Sequence, residues 1–191
     1  MKKEDIITLP DPRLRQKAEK VYSVTDDIKQ IIDNMISVAL DWEKSRPHEV
    51  SAALAAPQIG IMKRIIIVRS DFEDKNAQDF TALINPEIVK LEGKIVKDFE
   101  GCLSVPDIYG EVPRHDKARI KAMDINGNEV RFKTEGFLSR TIQHEIDHVN
   151  GIVFIDHIRD EKKAFYKLDE KGELQPLDYD QDIKNRSILW D

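Results

Sequence analysis

Residues Phe137 to Gly151 read FLSRTIQHEIDHVNG, and how this stretch folds decides most of what can be said of the chain. It has no proline and no glycine before Gly151. Leu138, Ile142, Ile146 and Val149 recur at the spacing that forms one apolar stripe on a helix. Gly151, after Asn150, supplies the left-handed residue that ends helices. Residues four apart stack on one face, so His144 and His148 point the same way, with Glu145 beside them beyond the edge of the stripe. Phe137 and Thr141 continue this second face. The spacing therefore predicts a helix buried on two sides, with both histidines turned inward.

Two imidazoles on one helical face can hold a divalent cation, and an adjacent carboxylate can take a proton from water bound there. The competing reading is a surface helix with incidental histidines. A catalytic ion usually takes a third protein ligand. One metalloprotease pattern places a histidine three residues after a glycine, but here that position is Phe154. His157 lies further on, past the expected helix end, and Ile152-Val153-Phe154-Ile155 reads as an apolar strand or turn in the core. The other candidate is the chain's single cysteine, Cys102, in Glu100-Gly101-Cys102-Leu103-Ser104. Alone, such a cysteine is more commonly a small buried apolar residue. A thiolate with two imidazoles is nevertheless a known catalytic ligand set that leaves one coordination position open.

Three separate stretches, LAAPQIG at 54–60, EGCLS at 100–104 and QHEIDH at 143–148, together resemble the peptide deformylase family in order and distance. That family removes the formyl group from the N-terminal methionine of nascent chains in bacteria and organelles. The resemblance covers about residues 5 to 160, including Leu9-Pro10-Asp11-Pro12 and Val112-Pro113-Arg114. It implies one divalent metal ion held by Cys102, His144 and His148, ferrous iron first, with zinc, nickel or cobalt able to replace it. It makes Glu145 the general base and acid for water attacking the formyl carbon. The oxyanion donors it implies are the side-chain amide of Gln58 and the backbone N–H of Leu103. A methionine side chain needs an apolar pocket, for which Ala52, Ala53, Leu54 and Phe137 are candidates, with Tyr109 and Arg140 near its mouth. Glu100 pairs with Arg114 to hold the cysteine loop.

One departure bears on the substrate. The family places glycines two apart before the leucine, where this chain has Ser51-Ala52-Ala53-Leu54. Glycine permits close backbone approach and positive φ, so Ser51 and Ala53 are expected to alter the edge of the peptide cleft. Two other functions use the same residues. A zincin-type metallopeptidase would take an acidic third ligand downstream instead of Cys102, and a noncatalytic deformylase-like protein would bind chain N-termini without turnover. The intact Glu145 speaks against the latter.

The fold class expected is α+β, with mixed or antiparallel strands packed around the C-terminal helix that carries HEIDH and an amphipathic helix near the N-terminus. Ile28, Ile31, Ile32, Met35, Ile36, Ala39 and Leu40 give that helix its stripe, with Thr25 as N-cap and an end before Pro47. Residues 64–69 and 83–91 read as strands, and 117–125 and 129–133 flank Asn126-Gly127, a tight hairpin turn. The domain expected is 1–160, a deformylase-like metallohydrolase. Residues 161–191 are a charged C-terminal extension with an apolar tip, Ile188-Leu189-Trp190, that folds back. At 191 residues and a net charge of −6, the chain is one domain long and lacks the basic surface of a nonspecific nucleic-acid binder. No apolar run approaches the roughly 20 residues of a membrane span. The expectation is a cytoplasmic monomer that acts on N-formylmethionyl peptides and nascent chains at the ribosome, binding neither nucleic acid nor membrane.

Overall fold

The computed structural model describes residues 1–190 apart from 47, 48, 73, 75, 76 and 185. The expectations that touch Pro47 and Asp191 lie outside the described residues. Thr25 caps the first helix, α1 (Asp26–Glu43), its side chain accepting from the Ile28 N–H, with Asp26 and Asp27 in the first turn. The second helix, α2 (Gly136–Val149), matches the expected span and carries both histidines. From Ser139 to Val149 every residue of α2 is buried except Asp147, which is half-buried.

Seven strands form one sheet: β1 (Ala53–Ala55), β2 (Ile65–Arg69), β3 (Phe80–Cys102), β4 (Val105–Met123), β5 (Glu129–Glu135), β6 (Phe165–Leu168) and β7 (Leu174–Pro176). Their order is β1-β2-β3-β4-β6-β7, with β5 also on β4. Every pairing between these strands is antiparallel, and among the described residues the one parallel contact is an isolated bridge between Glu19 and Lys63. The expected strand 83–91 is thus one part of a much longer β3. Its partner β4 begins twelve residues before the expected start at 117 and ends at Met123. Asn126-Gly127 lies inside a longer loop whose turn is set by the Asp124 carboxylate, which accepts from the N–H groups of Asn126 and Asn128 at 2.8 and 2.9 Å.

The two faces of β1, β2 and β3 explain where the core lies. Leu54, Ile65, Ile67, Ala82 and Ile84 pack on one face with Ile28, Ile32, Met35 and Val38 of α1. Ala53, Ala55, Ile66, Val68 and Leu83 pack on the other with Ile142, Ile146 and Val149 of α2. Side chains alternate across a strand, so the unbroken apolar run of β2 is what a strand covered on both faces requires. A third cluster joins Leu9 and Leu14 to the start of β4 and to Val153, Phe154, Ile155 and Ile158. Those last residues form a turn and a short 3-10 helix (Phe154–Ile158) rather than a strand. The segment after Asp160 contributes β6, β7 and the buried Phe165, Ile183 and Leu189 to that same cluster.

Candidate active site

Cys102 is the last residue of β3, at the two-residue turn Leu103-Ser104 that leads into β4. His144 and His148 reach the same point from α2. The Cys102 Sγ lies 3.2 Å from the His148 Nε2, and the donor atoms of all three residues lie within 4.8 Å of one another. A tetrahedral ion bound at about 2.0–2.3 Å keeps its ligand atoms roughly 3.3–3.7 Å apart, so this donor set fits a single divalent cation. Among the described residues it is the one cluster of this kind.

The surroundings prepare the ligands. Burial alone would raise the Cys102 thiol, but the two imidazoles, His148 foremost, bring it down to about 5, so the sulfur is a thiolate at neutral pH. The Glu100 carboxylate lies 2.9 Å from the His144 Nδ1. A proton on Nδ1 satisfies that contact and leaves Nε2 free to bind metal. Burial disfavours the His144 cation, yet Cys102 and Glu100 hold its pKa well above the ordinary value. Ion binding must therefore displace a proton. Phe154, where a third histidine would have stood in the other pattern, stacks on the His144 ring at 6.0 Å between centroids.

Glu100 gathers more than His144. Arg114 donates to both of its oxygens at 2.9 and 3.1 Å, the pairing expected from the sequence, and Arg140 donates a further bond at 2.7 Å. Arg114 also donates to Asp147 of α2 at 2.6 Å. The long hairpin is thereby tied to the metal-site helix through buried charges. Arg140 spends its remaining bonds on the carbonyls of Val96, Asp98 and Val112. It touches the cavity, but its guanidinium is turned inward, where it braces β3 and β4 instead of facing the mouth. Nothing in the sequence pattern marked Arg140 or Asp147 for this network.

Glu145 is 4% exposed, and its Oε2 is buried with no protein partner among the described residues. Desolvation pushes its pKa up to about 7, against 4.5 for a free glutamate. A carboxylate so placed exchanges protons near neutrality. The Gln58 carboxamide is aimed by its neighbour: Oε1 accepts from the Ala55 N–H at 2.8 Å, and Nε2 points to Sγ at 3.4 Å. The N-terminal segment holds both loops, since the Ile7 N–H donates to the Gln58 carbonyl at 2.8 Å and the Leu9 N–H to the Ser104 carbonyl at 3.0 Å.

An open cavity reaches these groups. Gln58, Cys102, Leu103, His144 and Glu145 line its inner end, and Ala52, Ala53, Tyr109, Phe137, Arg140 and Thr141 line its walls. Leu54 does not belong to it: alternation along β1 turns this side chain to the opposite face, fully buried beneath α1. Phe137 is 52% exposed and packs edge-on against Phe72. Across the mouth, the Tyr109 hydroxyl donates to the Glu49 carboxylate, and Arg46 pairs with Asp107 at 3.3 Å. Neither Ser51 nor Ala53 has positive φ, so the backbone itself does not demand glycine there. Ser51 is fully buried and gives its N–H to Glu43 at 2.7 Å, whereas the Ala53 methyl group packs toward α2.

A family model described as polypeptide deformylase matches residues 3–164. The peptide deformylase of Thermomicrobium roseum is 44% identical over 171 residues, covering 88% of this chain and 93% of that protein. That of Halothermothrix orenii is 45% identical over 148 residues, 78% of this chain and 88% of its own. Among solved structures, a peptide deformylase from Synechococcus elongatus in complex with actinonin superposes with a TM-score of 0.70 at 36% identity, over 80% of this chain and 76% of that one. A class I type b peptide deformylase from Acinetobacter baumannii gives 0.71 at 31% identity, over 81% and 97%.

Proposed function

The chain belongs to the polypeptide deformylase family, metal-dependent enzymes that remove the N-formyl group from nascent peptides, and from that premise we propose how its own residues do so. Cys102, His144 and His148 hold one divalent ion, ferrous iron in the cell. The soft thiolate, formed at neutral pH, suits iron and also accepts zinc, nickel or cobalt. When bound, the ion supplies a Lewis acid that activates water near pH 7.

Glu145 takes the proton from the attacking water and then delivers it to the departing amine. Its raised pKa, about 7, equips it for both directions. The Gln58 Nε2–H and the Leu103 N–H donate to the oxygen that becomes negative as the formyl carbon turns tetrahedral. The bond from Ala55 to the Gln58 Oε1 fixes which end of the carboxamide faces the site. Ala52, Ala53, Phe137 and Thr141 form the apolar wall for the methionine side chain, and Tyr109 borders the emerging peptide. Residues 1–160 carry this chemistry and 161–191 buttress it. Among the described residues no helix is long and apolar enough to cross a membrane. The likeness to bacterial peptide deformylases supports a cytoplasmic enzyme acting on chains as they leave the ribosome, and we take it as a monomer.

The observation that carries the reading is the meeting of one thiolate, two imidazoles and a protonatable glutamate at the inner end of one cavity. Formate release from formyl-Met-Ala, by protein loaded with ferrous iron or nickel without oxygen, tests it. Turnover is expected, and Glu145→Gln should lower kcat by about 10²–10⁴-fold while keeping the metal. No turnover by the loaded protein would sink the reading.

A further inference from the structure

The stretch that departs from the family's glycine pattern is held from behind by two charges. Glu43 is the last residue of α1, and Arg69 is the last of β2. Their side chains meet in a buried ion pair, the Arg69 guanidinium donating to the Glu43 carboxylate. The backbone of Ser51 runs between them. Its N–H donates to the same Glu43 oxygen at 2.7 Å, and its carbonyl accepts from the Arg69 Nε at 3.3 Å. The Arg69 N–H donates to the next carbonyl, that of Ala52, at 2.8 Å. The guanidinium also donates to the Ala77 carbonyl and lies 5.1 Å from the centre of the Phe80 ring. The Ser51 Oγ is buried with no protein partner among the described residues, so the hold on this residue is through its backbone. Val50 and Ala52 on either side of it, and Ala53 beyond, line the cavity.

We propose that Glu43 and Arg69 are positioning residues for the reaction: their ion pair fixes the Ser51 backbone and, through it, the Ala52–Ala53 wall beside the metal ligands. The inference rests on the deformylase reading of the same cavity. Neither side chain is among those that line the cavity, so both act through the backbone they hold. The wall needs that hold. β1 is three residues long and stands at the end of the sheet, with β2 as its one strand neighbour. A strand so short has few ladder bonds of its own, and the bonds at Ser51 and Ala52 extend them. Bonds to charged groups are shorter and roughly twice as strong as neutral ones, and the planar guanidinium fixes their direction. A wall displaced by a fraction of an ångström no longer meets the methionine side chain, while Cys102, His144, His148 and Glu145 stay where β3 and α2 put them.

Removing one partner would leave the other charged and buried, whereas replacing both by apolar residues of similar size is often neutral for stability. The test therefore uses the double variant Glu43→Leu with Arg69→Met, and beside it Arg69→Lys, which keeps a charge opposite Glu43 but loses the bond from Nε to the Ser51 carbonyl. The readout is the ratio of kcat/KM for formyl-Met-Ala to that for formyl-Ala-Ala, which has no long side chain for the wall to meet. The double variant should lower this ratio about tenfold, through the KM of formyl-Met-Ala, with its urea midpoint and cobalt affinity close to wild type. Arg69→Lys should lower it in the same direction by less. Calorimetric binding of the product Met-Ala should weaken in step, with no turnover involved. A wild-type ratio in both variants, or an equal loss for both substrates, overturns the inference while the deformylase reading stands. A loaded wild type that fails on formyl-Met-Ala overturns that reading first and this inference with it.

Discussion

Glu100 shows how much one side chain can hold. It is 6% exposed and faces Arg114, Arg140 and His144 together. Removing one partner of a buried ion pair leaves the others charged and unpaired, which costs about 3–5 kcal/mol. Glu100→Ala is therefore expected to destabilise the protein by that order in urea unfolding and to weaken metal binding about 10–100-fold through the freed His144 ring. Glu145 gives a signed prediction in pH. Its folded pKa of about 7 lies above the ordinary 4.5, so the folded metal-free chain holds this proton more tightly than the unfolded one. That contribution is fully present below the unfolded value and is lost as pH rises through 7. It amounts to about 3 kcal/mol by linkage. The stability of metal-free wild type relative to Glu145→Gln should fall by roughly this amount between about pH 4 and 8. A constant difference across that range would contradict the burial argument. At this scale the Cys102, His144 and His148 cluster was legible because the two histidines share one helix and Cys102 sits in a motif of its own. Glu100 with Arg114 was legible too. Arg140 was not, because its partners lie 28 to 44 residues upstream and only the fold brings them near.

At the scale of elements, both helices could be read from periodicity, and the strands only in part. Between Ile84 and Ile95 the pairing of β3 with β4 shifts register three times. Each shift interrupts the two-residue alternation by which a strand is recognised. The segment 92–98, Glu-Gly-Lys-Ile-Val-Lys-Asp, consequently reads as a charged loop although it lies inside β3. β6 is four residues long between charged neighbours, too short for any period to show. The end of α2 was legible from Gly151, and the structure adds the reason it must be glycine. Its φ is +77°, and an added Cβ would lie 2.7 Å from the Arg15 carbonyl oxygen. Gly151→Ala thus combines left-handed strain of roughly 1–2 kcal/mol with a backbone clash. It should lower the unfolding free energy by at least that much, and a loss under about 0.5 kcal/mol would contradict this account of the helix end.

The whole molecule is one sheet with helices on two faces and a third apolar cluster at the end of the long hairpin. Ala164, Phe165, Ile183 and Leu189, from the last thirty residues, belong to that cluster. Phe165 is fully buried there, with Tyr179 and Trp190 ringed around it. Phe165→Ala should cost about 3–5 kcal/mol in denaturant unfolding, well beyond what a surface extension would show. The charge of this tail was plain in the sequence. So was its apolar tip, whose Leu189 and Trp190 join the cluster, whereas Phe165 and Ile183 were not, because charged residues surround them in sequence. Finally, the proposed metal ligands come from opposite ends of the folding problem. Cys102 closes a hairpin, His144 and His148 lie on a helix made more than 40 residues later, and the N-terminal segment clasps the loops of both Gln58 and Cys102. No fragment of the chain brings thiolate and imidazoles together until the hairpin has docked on the helix. Tight uptake of cobalt, followed in time by its thiolate absorption band, would therefore act as a clock for the last step of refolding.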